Sequence, residues 1–270
     1  MIKFFGFFCL PFKEILDNKG LVYQIFLREL KSKFKGSFIG VFWFLLIPVF
    51  TFVAYYFVFG VVFKSKWGGN EGLQTFSMNL YSGMIVYFIF SEVVSRSSTI
   101  ISDNLNFVKK VSFPLSILPY SIYLQSLVFF VLGFFVFITV GVFLNDIAYF
   151  SIINFIAFLV FFTFFLLGLS YYLSALSVYI KDIVHLVPFF SMLMLFLSPI
   201  FYSVNMVPAG FSIFLSVNPL TIFVSSFRGV FNENFSYESH ILLGYFFSLV
   251  LFYTGFLFFH KVKKGFSDVL

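Results

Sequence analysis

SRSSTIISDNLNFVKKVSFP, Ser95 to Pro114, is the stretch on which the fold turns. It is the largest polar interruption in the first two-thirds of the chain, and the sequence on either side is overwhelmingly apolar. Of 270 residues, 61% are hydrophobic and only 10% are charged. A soluble domain of this length needs a charged surface, and this chain has too little charge to make one. Its mean hydropathy is +1.03. Ser95–Pro114 therefore reads as a loop between membrane spans.

A helical span takes about 20 residues, so the chain holds roughly six and leaves no room for a separate soluble domain. Upstream of the loop, Phe76 to Val94 and Phe38 to Phe63 are spans, the latter carrying Pro48. They are joined by the turn-rich KSKWGGNEG at 64–72, whose Trp67 suits a membrane interface. Asn79, Ser82, Gly83 and Ser91 make the 76–94 span less greasy, which predicts packing against protein or a path. Downstream, Leu115 to Leu144 and Ala148 to Tyr179 form a tight hairpin about Asn145–Ile147. Lys181, Asp182 and His185 mark the next short loop. Ile183 to Tyr202 is a fifth span, interrupted by Pro188 and Pro199. Ile241 to Phe259 is the last, followed by HKVKKG.

Before the first span, Leu21, Ile25, Phe26, Leu30 and Phe34 recur at helical spacing, while Arg28, Lys31 and Lys35 share another face. That is an amphipathic helix over 21–35, too charged to span and suited to lie in the interface. The first twenty residues are interrupted by Pro11 and Lys13, which favours an in-plane anchor over a cleaved signal. The prediction is thus an all-α membrane protein forming one transmembrane domain over 1–270, with residues 1–36 as its cytoplasmic and interfacial N-terminal segment.

Residues 203–238 are harder to place. Phe211 to Phe231 is apolar enough to span, but Asn218-Pro219 breaks it and Arg228 would cost about 2.5–3.5 kcal/mol in lipid. Parity decides. With six spans, Lys3, Lys13, Lys19, Arg28, Lys31, Lys33, Lys35, Arg96, Lys109, Lys110, Lys181, Lys261, Lys263 and Lys264 fall on one side. Only Lys64, Lys66 and Arg228 fall on the other. The positive-inside rule then puts both termini in the cytoplasm and makes 203–238 an external region of two short re-entrant helices joined at Asn218-Pro219. Non-helical backbone at that depth must be buried or line a water-filled cavity, which points to a pathway near the exit. The net charge of +6 is read as orientation, not as affinity for nucleic acid.

Catalytic and metal motifs are missing. There is no GxxxxGK[ST], so this chain does not bind ATP through a P-loop. HExxH, GxSxG, an acidic relay within the spans and any metal-ligand spacing are also absent. The lone Cys9 forms no internal disulfide. Transport without chemistry on this chain follows. If the energy comes from a partner ATPase, the chain must offer that partner something to push. Ser102-Asp103 suits the cap of a helix starting near Asn104. Lys109 and Lys110 then lie in its last turn, and Pro114 ends it. From chemistry alone, a solvated loop is as good a reading as a docking helix.

FLREL at 26–30, KGSFIGVFW at 35–43, YYFVFGVVFKSKWG at 55–68, NLNFVKKVSFPLSILP at 104–119 and NPLTIFVSSFRGVF at 218–231 occur in this order. In them the chain resembles the membrane subunits of bacterial ABC-type polysaccharide exporters, most closely the O-antigen (Wzm-type) permeases. The resemblance implies a homodimeric permease bound to two ATP-binding cassette subunits in the bacterial inner membrane. It implies export of a polymer carried on undecaprenyl diphosphate, with ATP and Mg on the partner subunit and no cofactor on this chain. It implies that the ATPase is met by the 21–35 helix and the 104–110 helix, through Arg28, Lys31, Asn104, Phe107, Lys109, Lys110, Phe113 and Pro114. It implies an external gate around Pro208, Asn218, Pro219 and Arg228.

A long hydrophilic polymer needs a continuous tunnel, which two copies can line at their interface. Phe38, Phe42, Tyr55 and Tyr56 on the first span are the candidate rings for stacking on sugars. Most of the 50 phenylalanines are read simply as lipid-facing residues. Capsule or teichoic acid export remains open as cargo, as does a drug or small-lipid exporter. A membrane glycolipid enzyme would have to work with Glu92, Asp103, Asp146 and Asp182.

Overall fold

The structure, a computed structural model, describes residues 11–33, 37–38, 40–64, 67, 72–109, 113–144, 146–233, 235 and 237–269. Lys110 and the other residues between these ranges lie outside the description. The described chain is helical throughout its regular structure, and five of its helices are long and apolar enough to cross a membrane.

After a helical segment at 11–17, helix α1 runs Lys19–Ser32 and buries Val22 and Ile25. It packs on the helix that begins at Ile117 and buries Ile25 of the apolar stripe there, where the spacing predicts a helix lying in the membrane interface. Helix α2, Trp43–Tyr55, accommodates Pro48 and continues through a wider π-helical turn, Tyr56–Val62. Pro48 lacks an N–H, and its own carbonyl accepts from the Tyr81 hydroxyl at 3.3 Å. Helix α3, Leu73–Ser97, is the axis of the bundle: 78% of its most apolar window is buried, against 6% for α2. Asn79, Ser82, Gly83 and Ser91 mark this helix because it packs against four others, those beginning at Ile117, Ile152, Ile183 and Pro219.

Helices α4, Ile117–Phe143, and α5, Ile152–Tyr179, form the expected hairpin. Ser151 caps α5, accepting from the Asn154 N–H at 3.3 Å. Helix α6, Ile183–Leu197, departs from expectation. It has 15 residues, about 22 Å of rise, and stops before Ser198-Pro199 instead of continuing to Tyr202. Pro199 disfavours helical backbone at Ser198, which is extended. Helices α7, Ser212–Val217, and α8, Pro219–Gly229, meet at Asn218. The Asn218 Oδ1 accepts from the Leu220 N–H at 2.9 Å, and Pro219 takes the first helical position, where its missing N–H costs nothing. Helix α9, Ser239–Val262, lies along α5. The approach is close enough that a Cβ on Gly255 would stand 2.7 Å from the Gly168 carbonyl oxygen.

The Ser95–Pro114 loop also differs from its reading. In place of one capped helix from Asn104 it has two single turns, Ile100–Asp103 and Leu105–Val108, with Asn104 between them. Neither turn has a side-chain cap. The Asn104 amide instead donates back to the Ile100 carbonyl at 2.9 Å, ending the first turn.

Side-chain contacts define two ends. At the first, Glu29 meets Arg96, Glu14 meets His260, and the Tyr179 hydroxyl donates to the Val262 carbonyl. At the second, Thr75 meets Asp146, Tyr237 meets Asn154, and the Ser151 N–H donates to the Val230 carbonyl.

Candidate functional site

The first end is organised on Glu29. Its Oε2 accepts from Arg96 Nη2 at 2.5 Å, and its Oε1 accepts from Arg28 Nη2 at 2.7 Å. Arg96 also donates to Gln125 Oε1, and Gln125 returns a bond to the Glu29 carbonyl at 3.4 Å. Partial burial pushes the Glu29 carboxyl up, but the bonds from Arg96 and Arg28 outweigh it and hold the group below its usual range. Lys33 Nζ lies 2.7 Å from Glu92 and 4.2 Å from the centre of the Phe129 ring. Two charged positions, Glu29 on α1 and Lys33 at its C-terminal cap, thus fasten the helix to α3 and α4.

The same helix holds the 98–116 loop. Arg28 Nη2 donates to Asn104 Oδ1 at 2.7 Å, and its guanidinium lies 5.2 Å from the centre of the Phe107 ring. Phe107 stacks on Phe113, centroids 4.3 Å apart and planes 5° from parallel. Arg28, Asn104, Phe107 and Phe113 therefore form one cluster. Asn104 is buried within it, so it acts as the inner joint. Lys31 and Lys109 point outward and are exposed. Pro114 opens the turn leading into α4, its carbonyl accepting from the Ile117 N–H at 3.1 Å. Sequence reasoning passed over Glu29, Lys33, Arg96 and Gln125. The one signal was the alternation of charge in RELKSK at 28–33.

The second end is organised on Arg228. Its Nη1 donates to the Pro199 carbonyl at 2.7 Å and its Nη2 to the Asn79 carbonyl at 2.8 Å. Its Nε reaches Ser82 Oγ at 3.2 Å, and the guanidinium lies 4.5 Å from the centre of the Trp67 ring. A Cβ on Gly83 would stand 3.0 Å from Nη2, so the glycine makes room for this packing. Asn218 donates to Ser198 Oγ at 3.0 Å, tying the α7–α8 joint to the end of α6. Pro208 is exposed, and its carbonyl accepts from the Phe211 N–H at 2.9 Å. Arg228 lines a chamber of about 420 Å³ together with Asp146, Asn79, Thr75 and Asn205.

The four candidate path rings do not share one environment. Phe38 and Phe42 are exposed. Tyr55 is half-buried against Phe59 and Phe201, and Tyr56 against Phe52.

With this geometry in hand, comparison with known proteins is informative. Residues 20–232 match the ABC-2 type transporter family, and the chain belongs to that family. It is similar to the O-antigen export system permease protein RfbA of Myxococcus xanthus, 28% identical over 225 residues that cover 82% of this chain and 84% of the relative. It is similar to a protein of the same name from Klebsiella pneumoniae, 29% identical over 248 residues, 90% of this chain and 92% of the relative. A second Klebsiella pneumoniae permease is 26% identical over 253 residues. The chain is a multi-pass membrane protein of a transporter family, and its relatives are permeases.

Proposed function

We propose that this chain is the permease of an ATP-driven exporter that moves undecaprenyl-diphosphate-linked polysaccharide of the O-antigen type across a bacterial inner membrane. It works as a homodimer with two ATP-binding subunits, which hold the ATP and Mg. The observation that carries this reading is the near-complete coverage of permeases named for O-antigen export. The first end supplies what such a subunit needs. Arg28 rigidly joins α1 to the 104–113 loop, so a push on the exposed Lys31 and Lys109 is delivered to α3 and α4 through Glu29 and Arg96.

The topology in this reading has six crossings. Helix α6, extended by the non-helical 198–202, makes the fifth, and α7 and α8 re-enter from the outside. Among described residues, Lys13, Lys19, Arg28, Lys31, Lys33, Arg96, Lys109, Lys181, Lys261, Lys263 and Lys264 belong to the first end, and Lys64 and Arg228 to the second. That asymmetry supports a cytoplasmic first end and cytoplasmic termini. Helix α2 leaves Phe50, Val53 and Phe57 uncovered, and α6 leaves Phe189, Met192 and Phe196. A second copy set against these faces completes a tunnel wide enough for a polymer.

Deletion of the gene in its host, followed by complementation, tests the reading. Surface polysaccharide disappears, lipid-linked polymer accumulates inside, and the wild-type gene restores export. Unchanged surface polysaccharide after deletion refutes it.

A further inference from the structure

Among the described residues, Arg228 is held in place without a countercharge. Its acceptors are two backbone carbonyls and a hydroxyl, and it makes no salt bridge among the described residues. A guanidinium carries five N–H groups, and these contacts do not exhaust them. On the wall of the same chamber, Asp146 Oδ1 accepts from Thr75 at 3.0 Å, and a carboxylate has capacity for further donors. Asn79 and Asn205 add amides, and Trp67 and Phe235 contribute ring surface. Val204 and Asn205 are exposed at the rim. The volume, about 420 Å³, falls within the roughly 300–1,000 Å³ of small-ligand sites.

A chamber with one fixed cation and one fixed anion disfavours ions of either sign. An anion meets Asp146, and a cation meets Arg228. A neutral ligand rich in hydroxyls satisfies both, because each hydroxyl can accept from the guanidinium and donate to the carboxylate. Amides and aromatic edges complete the set of groups that a pyranose ring engages. We propose that this chamber is a glycan subsite within each protomer, holding a neutral sugar unit of the transported chain at the second end. The proposal rests on the polysaccharide reading above. It adds sugar contact at Arg228 and Asp146 to the tunnel that the faces of α2 and α6 line.

Photo-crosslinking in the native host, with the cells making their own polymer, tests it. A benzophenone side chain is placed at Asn205 on the rim, at Thr75 inside and at Val250 on the exposed face of α9. Glycan on the affinity-purified chain is detected by periodate staining. The expected result is a glycan adduct at Asn205 and Thr75 and none at Val250. Asp146→Asn should lower the Asn205 adduct about tenfold at equal chain level in the membrane. If export depends on the chain and both chamber positions stay glycan-free, the subsite does not exist. An Asn205 adduct unaffected by Asp146→Asn also overturns it. The deletion experiment stands apart from these results: surface polymer that survives deletion defeats the polysaccharide reading itself.

Discussion

Arg28 and Asn104, 76 residues apart, share a 2.7 Å hydrogen bond, and through it helix α1 holds the loop that follows α3. The same guanidinium faces Phe107 and pairs with Glu29, which in turn pairs with Arg96 at the end of α3. A displacement of the loop cannot occur without moving α1 or breaking this chain of contacts. Replacing Arg28 by Ala should cost only about 1 kcal/mol of stability, because the side chain is 46% exposed and solvent screens the pair. The effect on coupling should be larger. In proteoliposomes containing the ATPase subunits, ATP turnover should persist while polymer exported per ATP falls several-fold. An unchanged export ratio would mean that the latch transmits nothing.

The outward residues predict a different phenotype. Lys31 and Lys109 are exposed, and neither makes a salt bridge among the described residues. Reversing Lys31 and Lys109 to Glu should leave folding within about 0.5 kcal/mol, as for surface substitutions elsewhere. It should weaken association with the ATPase subunit, most strongly at low salt, where charge is least screened. Co-purification across a salt series reads this directly. Retention of the ATPase at every salt concentration would place its contact elsewhere.

How much of this was legible depends on the range of the interaction. The break at Asn218-Pro219 and the burial of a span containing Asn79, Ser82 and Gly83 are local patterns, and each appears as read. The end of α6 at Leu197 was also encoded locally, by Pro199, but hydropathy continues to Tyr202 and masked it. The loop helix was misread because Ser102-Asp103 suits a cap locally, whereas the Asn104 amide bonds back to the Ile100 carbonyl and its oxygen accepts from Arg28, 76 residues away. The Glu29–Arg96 pair spans 67 residues, and nothing in either neighbourhood names the other. Arg228 could be flagged as costly in lipid, yet its neutral partners at 79, 82 and 199 are set by two separate elements, α3 and the end of α6.

Glu14 gives a prediction in pH. Burial pushes its carboxyl up, but the hydrogen bond with His260 at 2.7 Å and the nearby Lys263 charge outweigh it and hold the group at about 2. A depressed carboxylate contributes stability that is fully present above its unfolded value of 4.5 and is lost as pH falls through about 2. At roughly 1.4 kcal/mol per unit, the contribution is at most about 3 kcal/mol. The difference in melting temperature between the wild type and Glu14→Gln should therefore be constant above about pH 5 and shrink steadily below it. A difference that grows on acidification would show that the pair does not hold the N-terminal segment against α9.

The α5–α9 seam predicts a purely steric effect. A methyl group on Gly255 would meet the Gly168 carbonyl oxygen at 2.7 Å, and one on Gly168 would meet the Leu251 backbone at 2.8 Å. Neither neighbour is a flexible side chain, so the helices must separate. Gly255→Ala should cost about 1–3 kcal/mol, the usual range for overpacking, and lower the melting temperature in detergent. Gly20→Ala, with nothing within 4 Å of its Cβ, is the control and should be neutral or slightly stabilising. Equal behaviour of the two variants would contradict the close seam.

Arg228 separates charge from geometry. Its Nη1 and Nη2 serve carbonyls of Pro199 and Asn79 that sit on different elements, so the planar fork ties α8 to both the end of α6 and the body of α3. Lysine keeps the charge but not the fork, and it cannot reach two separated carbonyls in the same way. Methionine removes both and leaves the Pro199 carbonyl without its donor, at about 1–3 kcal/mol where water does not reach it, while the Asn79 carbonyl keeps the Ser82 hydroxyl at 2.7 Å. Ser82→Ala removes the 3.2 Å contact to Nε and the hydroxyl's 2.7 Å bond to the Asn79 carbonyl, and should cost about 1 kcal/mol. The expected order of destabilisation is Arg228→Met, then Arg228→Lys, then Ser82→Ala, measured by thermal unfolding of the purified chain. Because the fork is what joins the elements, Arg228→Lys should already loosen the α7–α8 joint. A cysteine at Asn218 should then react faster with a membrane-impermeant thiol reagent in the Lys variant than in the Arg parent. Equal labelling rates in the two backgrounds would show that charge alone, and not the two-carbonyl bridge, holds the second end together.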